Sequence, residues 1–517
     1  MSLQEVPGSY RRAWPGTVPG AAVDPEQRVR LTVWFARGAG GDDDAREAAR
    51  LGALPVGERT YESRSTFSAR SDASEEATHH LTTYCRLHGI DVLERHWRSA
   101  TVAGRLGDLV TAFDADVDIR TSPNGSAFRH RKGWLSLPLH LAQHVRGVFG
   151  FHEWCRDGGV GTPRADRVPL EPHAIARRYG FPEATGAGQT IGILAYDATY
   201  RESDYERAME RLGIRRERPA LAHVDGERPA HRAGTGADLE AATDVQIAAQ
   251  LAPGARIVVY EAPHGERGCL DAIRTAIFDD VHAPSVLSIS YGIIERNWSP
   301  AALAILDDLF VAAALIGVTV LVASGDNGPE RDEHGNAHVN APASSPFALA
   351  CGATVVHRDA RGDFAEIAWH HSGGGFGRAA VPAWQAAALG WAERHGIAHG
   401  RGVPDVAAQC DPGYLVYFNG TELSMHGTST IAPMWAALVA RINERAAELH
   451  GRTAGFFAPL LYARADGIMR AIVRGRNELF EAGDGWNPLA GLGVPDGKAL
   501  EAALVSPQSF QHSRQSS

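Results

Sequence analysis

The chain of 517 residues has no uninterrupted run of 18 apolar residues, so the sequence predicts no membrane-spanning helix. It is poor in cysteine. Cys85, Cys155, Cys269, Cys351 and Cys410 are scattered and form no CxxC pair. That spacing excludes a zinc ribbon or a disulfide framework, and the odd number leaves at least one thiol unpaired within the chain. Scattered cysteines of this kind are ordinarily small buried hydrophobes. Positive charge is not in excess either. Lys plus Arg number 51 against 61 Asp plus Glu, a net charge of -10, which argues against a nucleic-acid or anionic-membrane partner. The opening stretch MSLQEVPGSYRRAWPGTVPG lacks the apolar core of a secretory signal. What remains is ordinary globular composition, 44% hydrophobic and 22% charged, at a length that suggests two or three domains.

Residues 1–27 read as an N-terminal arm. RLTVWFAR (30–37) alternates and predicts a strand. A Gly/Asp-rich gap and polar sequence follow as far as Ala73. Helical spacing marks 74–89, 105–113 and 137–151, with a short strand at IDVL, giving a small α+β unit over 28–155. RDGGVGTPRADR is Gly, Pro and charge, and 156–170 reads as a linker. Beyond it, TIGILA, RIVVYEA, VLSISY and VTVLVAS are continuous apolar strands separated by Ala-rich helical stretches. Strands apolar on both faces that alternate with helices predict an α/β unit, a mostly parallel sheet flanked by helices, over 171–505. The polar end, 506–517, reads as a disordered tail.

Four places carry candidate chemistry. Ser429 lies in MHGTSTIAP, just before an apolar helical run; Thr428 or Ser429 is either a helix N-cap or a nucleophile that needs a base. Its neighbour His426 lies only three residues away and reads as a loop histidine. His140 and His144 are an i,i+4 pair in HLAQH, but the Glu of an HExxH motif is missing, so a solvated helix face is the reading. Glu240 and Asp244 are four apart in DLEAATDVQIAAQL. Such pairs are common on surface helices, yet this helix is otherwise Ala, Val, Gln, Ile and Leu and runs into a buried strand. Two carboxylates on one packed face do not both ionise easily. Asp326, in VLVASGDNG, is either a turn aspartate or, at the C-terminal end of a buried strand, a cleft residue able to donate to an oxyanion when protonated.

The ordered phrases DLEAATDVQIAAQLAPGA, VLSISYG, VLVASGDNG, VNAPASSPFALACGAT, SGGGF, RGVPDVAA and GTSTIAP resemble those of the sedolisins, the serine-carboxyl peptidases, and within them the kumamolisin-like branch. The resemblance covers nearly the whole chain and implies a subtilisin-like fold. The His-Gly-Thr-His and Asp-Thr-Gly phrases of histidine-based subtilases are missing. By position the resemblance implies Ser429 as nucleophile, Glu240 as general base, Asp244 as its orienting partner and Asp326 in the oxyanion hole. It also implies that 28–155 is a prodomain, an intramolecular inhibitor cut off autocatalytically in acid near 156–170. Polypeptide substrates and a monomeric enzyme are the expectation.

Three departures from the family pattern stand out. Ala471 and Asn487 occupy the places of the two aspartates that bind the family calcium, so no cofactor or metal is expected; Asp484 is the nearby acid. Ala195 and Tyr291 occupy the places of an outer Glu–Trp extension of the catalytic network. The resemblance implies an extracellular or acidic setting, whereas the N-terminus shows no export signal, which leaves an intracellular precursor open. The eroded positions motivate an alternative, a catalytically silent relative that keeps its prodomain and serves as a binding or structural protein.

Overall fold

The computed structural model describes residues 3–14, 16–38, 41–122, 125–154, 169–226, 234–331, 337–358, 364–390 and 400–506. Residues 156–168 of the expected linker, 507–517 of the expected tail and Cys155 lie outside them.

The N-terminal unit is built on strand β1 (Arg28–Phe35). Side chains alternate across a strand. Leu31, Val33 and Phe35 enter the unit's own core with Leu81, Val102, Leu109 and Phe113. Trp34, on the other face, joins the core of the C-terminal unit, and the Thr32 hydroxyl donates to Asp271 of that unit at 2.7 Å. Helices α1 (Gly41–Gly52), α2 (Arg64–Ser71) and α3 (Glu75–Leu87) follow. Helix α1 begins in what reads as a Gly/Asp-rich gap. Asp42, Asp43 and Asp44 fill its first turn, where the helix dipole favours acids, and Ala48 and Leu51 are buried. Then come β2 (Asp91–His96), β3 (Ser99–Arg105), α4 (Leu106–Phe113) and β4 (Val145–Phe149). The sheet order is β2-β3-β1-β4, all antiparallel.

The helix expected over 137–151 is not formed. A strand (Ser136–Pro138), one helical turn (Leu139–Ala142) and β4 take its place. VRGVF has two β-branched valines and a glycine, a poor helix, and it completes the sheet by pairing Val148 with Val33. His140 and His144 therefore share no helix.

The C-terminal unit is a twisted sheet of β5 (Thr190–Tyr196), β6 (Ala220–His223), β7 (Arg256–Ala262), β8 (Val286–Ile289), β9 (Thr319–Ala323) and β10 (Leu349–Arg358), in the order β6-β7-β5-β8-β9-β10 and parallel throughout. Strand β10 also pairs with β11 (Phe364–Ala368), antiparallel, and with β12 (Val406–Asp411), parallel. Helix α5 (Gly236–Leu251) packs on α8 (Ile431–His450), both against the sheet; α6 (Glu266–Ile277) and α7 (Pro300–Leu315) pack together on the other face. The strand order reverses at β5, which opens a crevice beyond the C-terminal ends of β5 and β8. Cys85, Cys269, Cys351 and Cys410 are buried and free. Among the described residues no helix is long and apolar enough to cross a membrane.

The N-terminal unit docks on α6 and α7 through β1 and α1. Trp97 meets Phe278 with ring centres 4.7 Å apart, and Phe67 and Phe149 join the same core. Around this apolar patch, Arg37 and Arg98 pair with Asp308 at 2.8 and 2.9 Å, and Arg11 pairs with Glu266.

Inside the N-terminal unit His152 is buried, and neither ring nitrogen has a hydrogen-bond partner. Trp14, Phe128 and His130 surround it, with Arg11, Arg129 and Arg131 close by. Burial first, and then Arg11, His130, Arg131 and Arg129, push its pKa well below 6.5. Burial likewise lowers His130, whose Nε2 accepts from the Trp14 amide at 3.2 Å. The unfolded chain takes up these protons near pH 6.5, whereas the folded unit resists them. The associated stability is therefore complete above about pH 6.5 and falls with acid, by at most about 1.4 kcal/mol per pH unit for His152 and in the same direction for His130. Unfolding temperatures of the full chain at pH 7 and pH 5 will show a drop that shrinks in His152→Phe; an equal drop in both contradicts this account.

Candidate functional site

Helix α5 starts at a capping box. Thr235 accepts from the Asp238 amide, and Asp238 accepts from the Thr235 and Gly234 amides. The other Asp238 oxygen accepts from the Thr199 amide at 2.9 Å, which ties the helix start to the loop after β5. Every side chain from Asp238 to Leu251 is buried. The surface-helix reading of Glu240 and Asp244 therefore fails: both carboxyls lie one helical turn apart in the interior. Gln246 and Gln250 stitch the far end of the helix to Tyr417 and Leu415 of the neighbouring hairpin.

Asp244 is fully buried. Its Oδ1 accepts from the Ser290 hydroxyl at 2.8 Å, while its Oδ2 has no hydrogen-bond partner. Burial and the charge of Glu240 raise its pKa well above the carboxylate range, against the lowering effect of Ser290. A proton held on Oδ2 answers both facts. Ser290 also stands 3.2 Å from the carbonyl oxygen of Ser429, so one hydroxyl bridges Asp244 and the Ser429 turn. Sequence reasoning missed Ser290, although it sits inside the quoted VLSISYG phrase at the end of a buried strand. Its neighbour Tyr291 packs edge-on against Tyr196, and its hydroxyl approaches the Ala237 carbonyl at 3.4 Å, so it braces the first turn of α5. Ala195 is buried in β5 and adds no polar group.

Ser429 lies in the 3-10 turn Thr428–Thr430 that leads into α8. Gly427 before it has φ +118, and a Cβ there would stand 2.5 Å from Asp326 Oδ2 and 3.4 Å from Ser429 Oγ. Only glycine lets the Asp326 carboxyl come this close to the serine turn. Asp326 follows β9. Its Oδ1 accepts from both the amide and the hydroxyl of Thr428, each at 2.7 Å. With Oδ1 committed as acceptor, the proton of the neutral acid rides on Oδ2, the oxygen facing Gly427 and Ser429. Burial raises the Asp326 pKa, and the two Thr428 hydrogen bonds only partly offset it. Asp244 thus reaches the Ser429 turn through Ser290, with Glu240 one helical turn earlier on α5, and Asp326 reaches the same turn through Thr428. His426 lies elsewhere: its ring contacts Ser424 at 3.3 Å and Asp411 at 3.8 Å.

Asn487 is buried. Its Nδ2 donates to the carbonyls of Ile472 and Gly483 at 3.1 and 3.4 Å, and its Oδ1 accepts from the amides of Leu489 and Ala490. An amide that donates to two carbonyls satisfies the oxygens a hard cation seeks. Asp484 is exposed.

The Subtilase family pattern matches residues 226–474. The chain is 34% identical to kumamolisin of Bacillus sp. (strain MN-32), over 96% of this chain and 95% of that protein. It is 28% identical to tripeptidyl-peptidase 1 of Homo sapiens, over 72% of each. Among solved structures, a Pseudomonas sedolisin (serine-carboxyl proteinase) complexed with two molecules of pseudo-iodotyrostatin aligns with a TM-score of 0.54 at 23% identity, covering 66% of this chain and 98% of that one.

A carboxyl that stays protonated in neutral solution is directly visible. The infrared spectrum of the full chain at pH 7 will carry a protonated-carboxyl stretch that loses intensity in Asp244→Asn. Coincident spectra of wild type and variant would show that Asp244 is ionised.

Proposed function

The chain belongs to the sedolisin family and is a serine-carboxyl peptidase, and we propose that it hydrolyses peptide bonds in acid through an acyl-enzyme on Ser429. Glu240 takes the Ser429 proton as the hydroxyl attacks the scissile carbonyl, then passes it to the leaving amine. Water attacks the resulting ester, Glu240 again takes the proton, and the serine hydroxyl is restored as the acid product leaves. Asp244 holds Glu240 and shares its proton. Asp326 donates from Oδ2 to the oxyanion of each tetrahedral intermediate.

The observation that carries this reading is a pair of carboxyls with raised pKa that both connect to the Ser429 turn, Asp244 through the Ser290 hydroxyl and Asp326 through Thr428. Acid suits this chemistry. Imidazole, with a reference pKa near 6.5, is protonated below about pH 5, whereas a carboxylate base keeps an ionised fraction there. Asp326 donates only while it keeps its proton, so activity falls as pH rises through its pKa.

The same reading makes the N-terminal unit an inhibitory prodomain that the enzyme removes itself. In its support, the last residue of the linker, Leu170, donates its amide to the Gly413 carbonyl at 2.8 Å, and Gly413 abuts Ser424 and His426 just ahead of the nucleophile turn. The reading also places no calcium at the family site, because the Asn487 amide already serves the two carbonyls and Ala471 offers no charge.

On acidification, the purified full-length chain will shorten to a mature fragment on a gel. Ser429→Ala will stay whole, and Glu240→Gln will process about 100-fold more slowly or worse. Intact wild type that also leaves peptides uncleaved would favour the silent relative instead. Calcium will leave the unfolding temperature unchanged. In chelator, Asn487→Asp will lose about 1–3 kcal/mol, because it turns two donors into a carboxylate facing carbonyls; a calcium-dependent rise in wild type would contradict the calcium reading.

A further inference from the structure

We propose that the N-terminal unit carries a zinc site formed by Glu76, His80, His140 and His144. Glu76 and His80 are one turn apart on α3, with Oε1 and Nε2 3.5 Å apart. His140 belongs to the single helical turn before β4, and His144 follows it. This connection folds back on α3, so that the His80 ring lies 5.1 Å from His140 and 5.8 Å from His144, centre to centre. Two imidazoles on one tetrahedral zinc have ring centres roughly 5 Å apart. Ligand atoms of Glu76, His80 and His144 already lie within 4.8 Å of one another. His144 Nε2 is 3.1 Å from the Gln143 side-chain amide. A donating amide marks that nitrogen as the one bearing the lone pair, which is the form a metal takes.

Three imidazoles and one carboxylate are a borderline-soft, nitrogen-rich set. It suits zinc and not calcium or magnesium, which prefer all-oxygen shells. Glu76, His80 and His144 form the preassembled trio, and His140, whose ring lies beside that of His80, completes the set once its side chain turns toward them; four protein ligands close the shell, so the ion is structural. It would pin α3 to the connection that feeds β4, a join otherwise exposed to solvent along Glu76 and His140. The acid–histidine cluster of Glu94 and His96 with Asp225 of the C-terminal unit differs: there the Arg274 guanidinium, 2.8 Å from Asp225, already supplies the cation.

The test uses the full-length chain at neutral pH, stripped with chelator and titrated with Zn2+ by calorimetry and with Co2+ by visible absorption. The result is independent of proteolysis, so its failure leaves the peptidase reading untouched. One ion per chain is expected, with the intense visible bands of tetrahedral cobalt and a zinc-dependent rise in unfolding temperature. His80→Ala and His144→Ala will each weaken zinc at least about tenfold and abolish the cobalt bands. Glu76→Gln, at an exposed position that folding tolerates, will weaken zinc in the same direction, whereas His173→Ala, an exposed histidine outside the cluster, will bind as wild type does. Absence of the cobalt bands in wild type, or bands that survive His80→Ala and Glu76→Gln, would overturn the proposal.

Discussion

Helix α5 keeps two carboxyl side chains, Glu240 and Asp244, out of water, and a carboxyl without water tends to keep its proton. The rest of the site follows from that placement. A surface pair would ionise together and repel into solvent. Here the pair is held by a capping box at one end and by Gln246 and Gln250 at the other, so the helix cannot slide to relieve it. Ser290 then gives Asp244 a fixed donor and touches the Ser429 turn. The repulsion is held within the fold and answered by a single proton.

Asp326 reaches the same serine from another direction. It comes off the end of β9, and Thr428 fixes one of its oxygens while glycine at 427 clears the way for the other. Segments about 190 positions apart meet because the parallel strands bring their C-terminal ends to one edge of the sheet, and α5 and α8 share one face of it. In the proposed mechanism, proton traffic and charge stabilisation thus sit on two different supports, a helix and a strand-end turn, joined through the Thr428–Thr430 turn.

Much of this was legible in the sequence. The apolar runs announced β5, β7, β8 and β9, because a strand buried on both faces has no polar alternation to hide it. The ordered phrases announced Glu240, Asp244, Asp326 and Ser429 as a set, and their gathering in space is a matter of topology that spacing alone does not carry. Local pattern misled where one run served two purposes: 137–151 has helical spacing for a single turn and then turns to a valine strand that only β1 could recruit. Helix α1 was invisible because its acidic first turn looks like a loop until the dipole is considered. Asn487 read as a lost charge, whereas its side chain acts as a double donor, and the partner of His140 and His144 turned out to be His80, some 60 residues earlier, which no i,i+4 search would find.

Strand β1 has no solvent face: Leu31, Val33 and Phe35 fill one core, and Trp34 fills another. Once the two units part, Trp34, Trp97, Phe67 and Phe149 lose their cover together and form one contiguous greasy scar on the smaller piece. In the proposed precursor, a fragment marked in this way is a target for aggregation and for proteolysis rather than a free inhibitor waiting to rebind. On that reading, the seam that holds the two units together also makes their separation a one-way event.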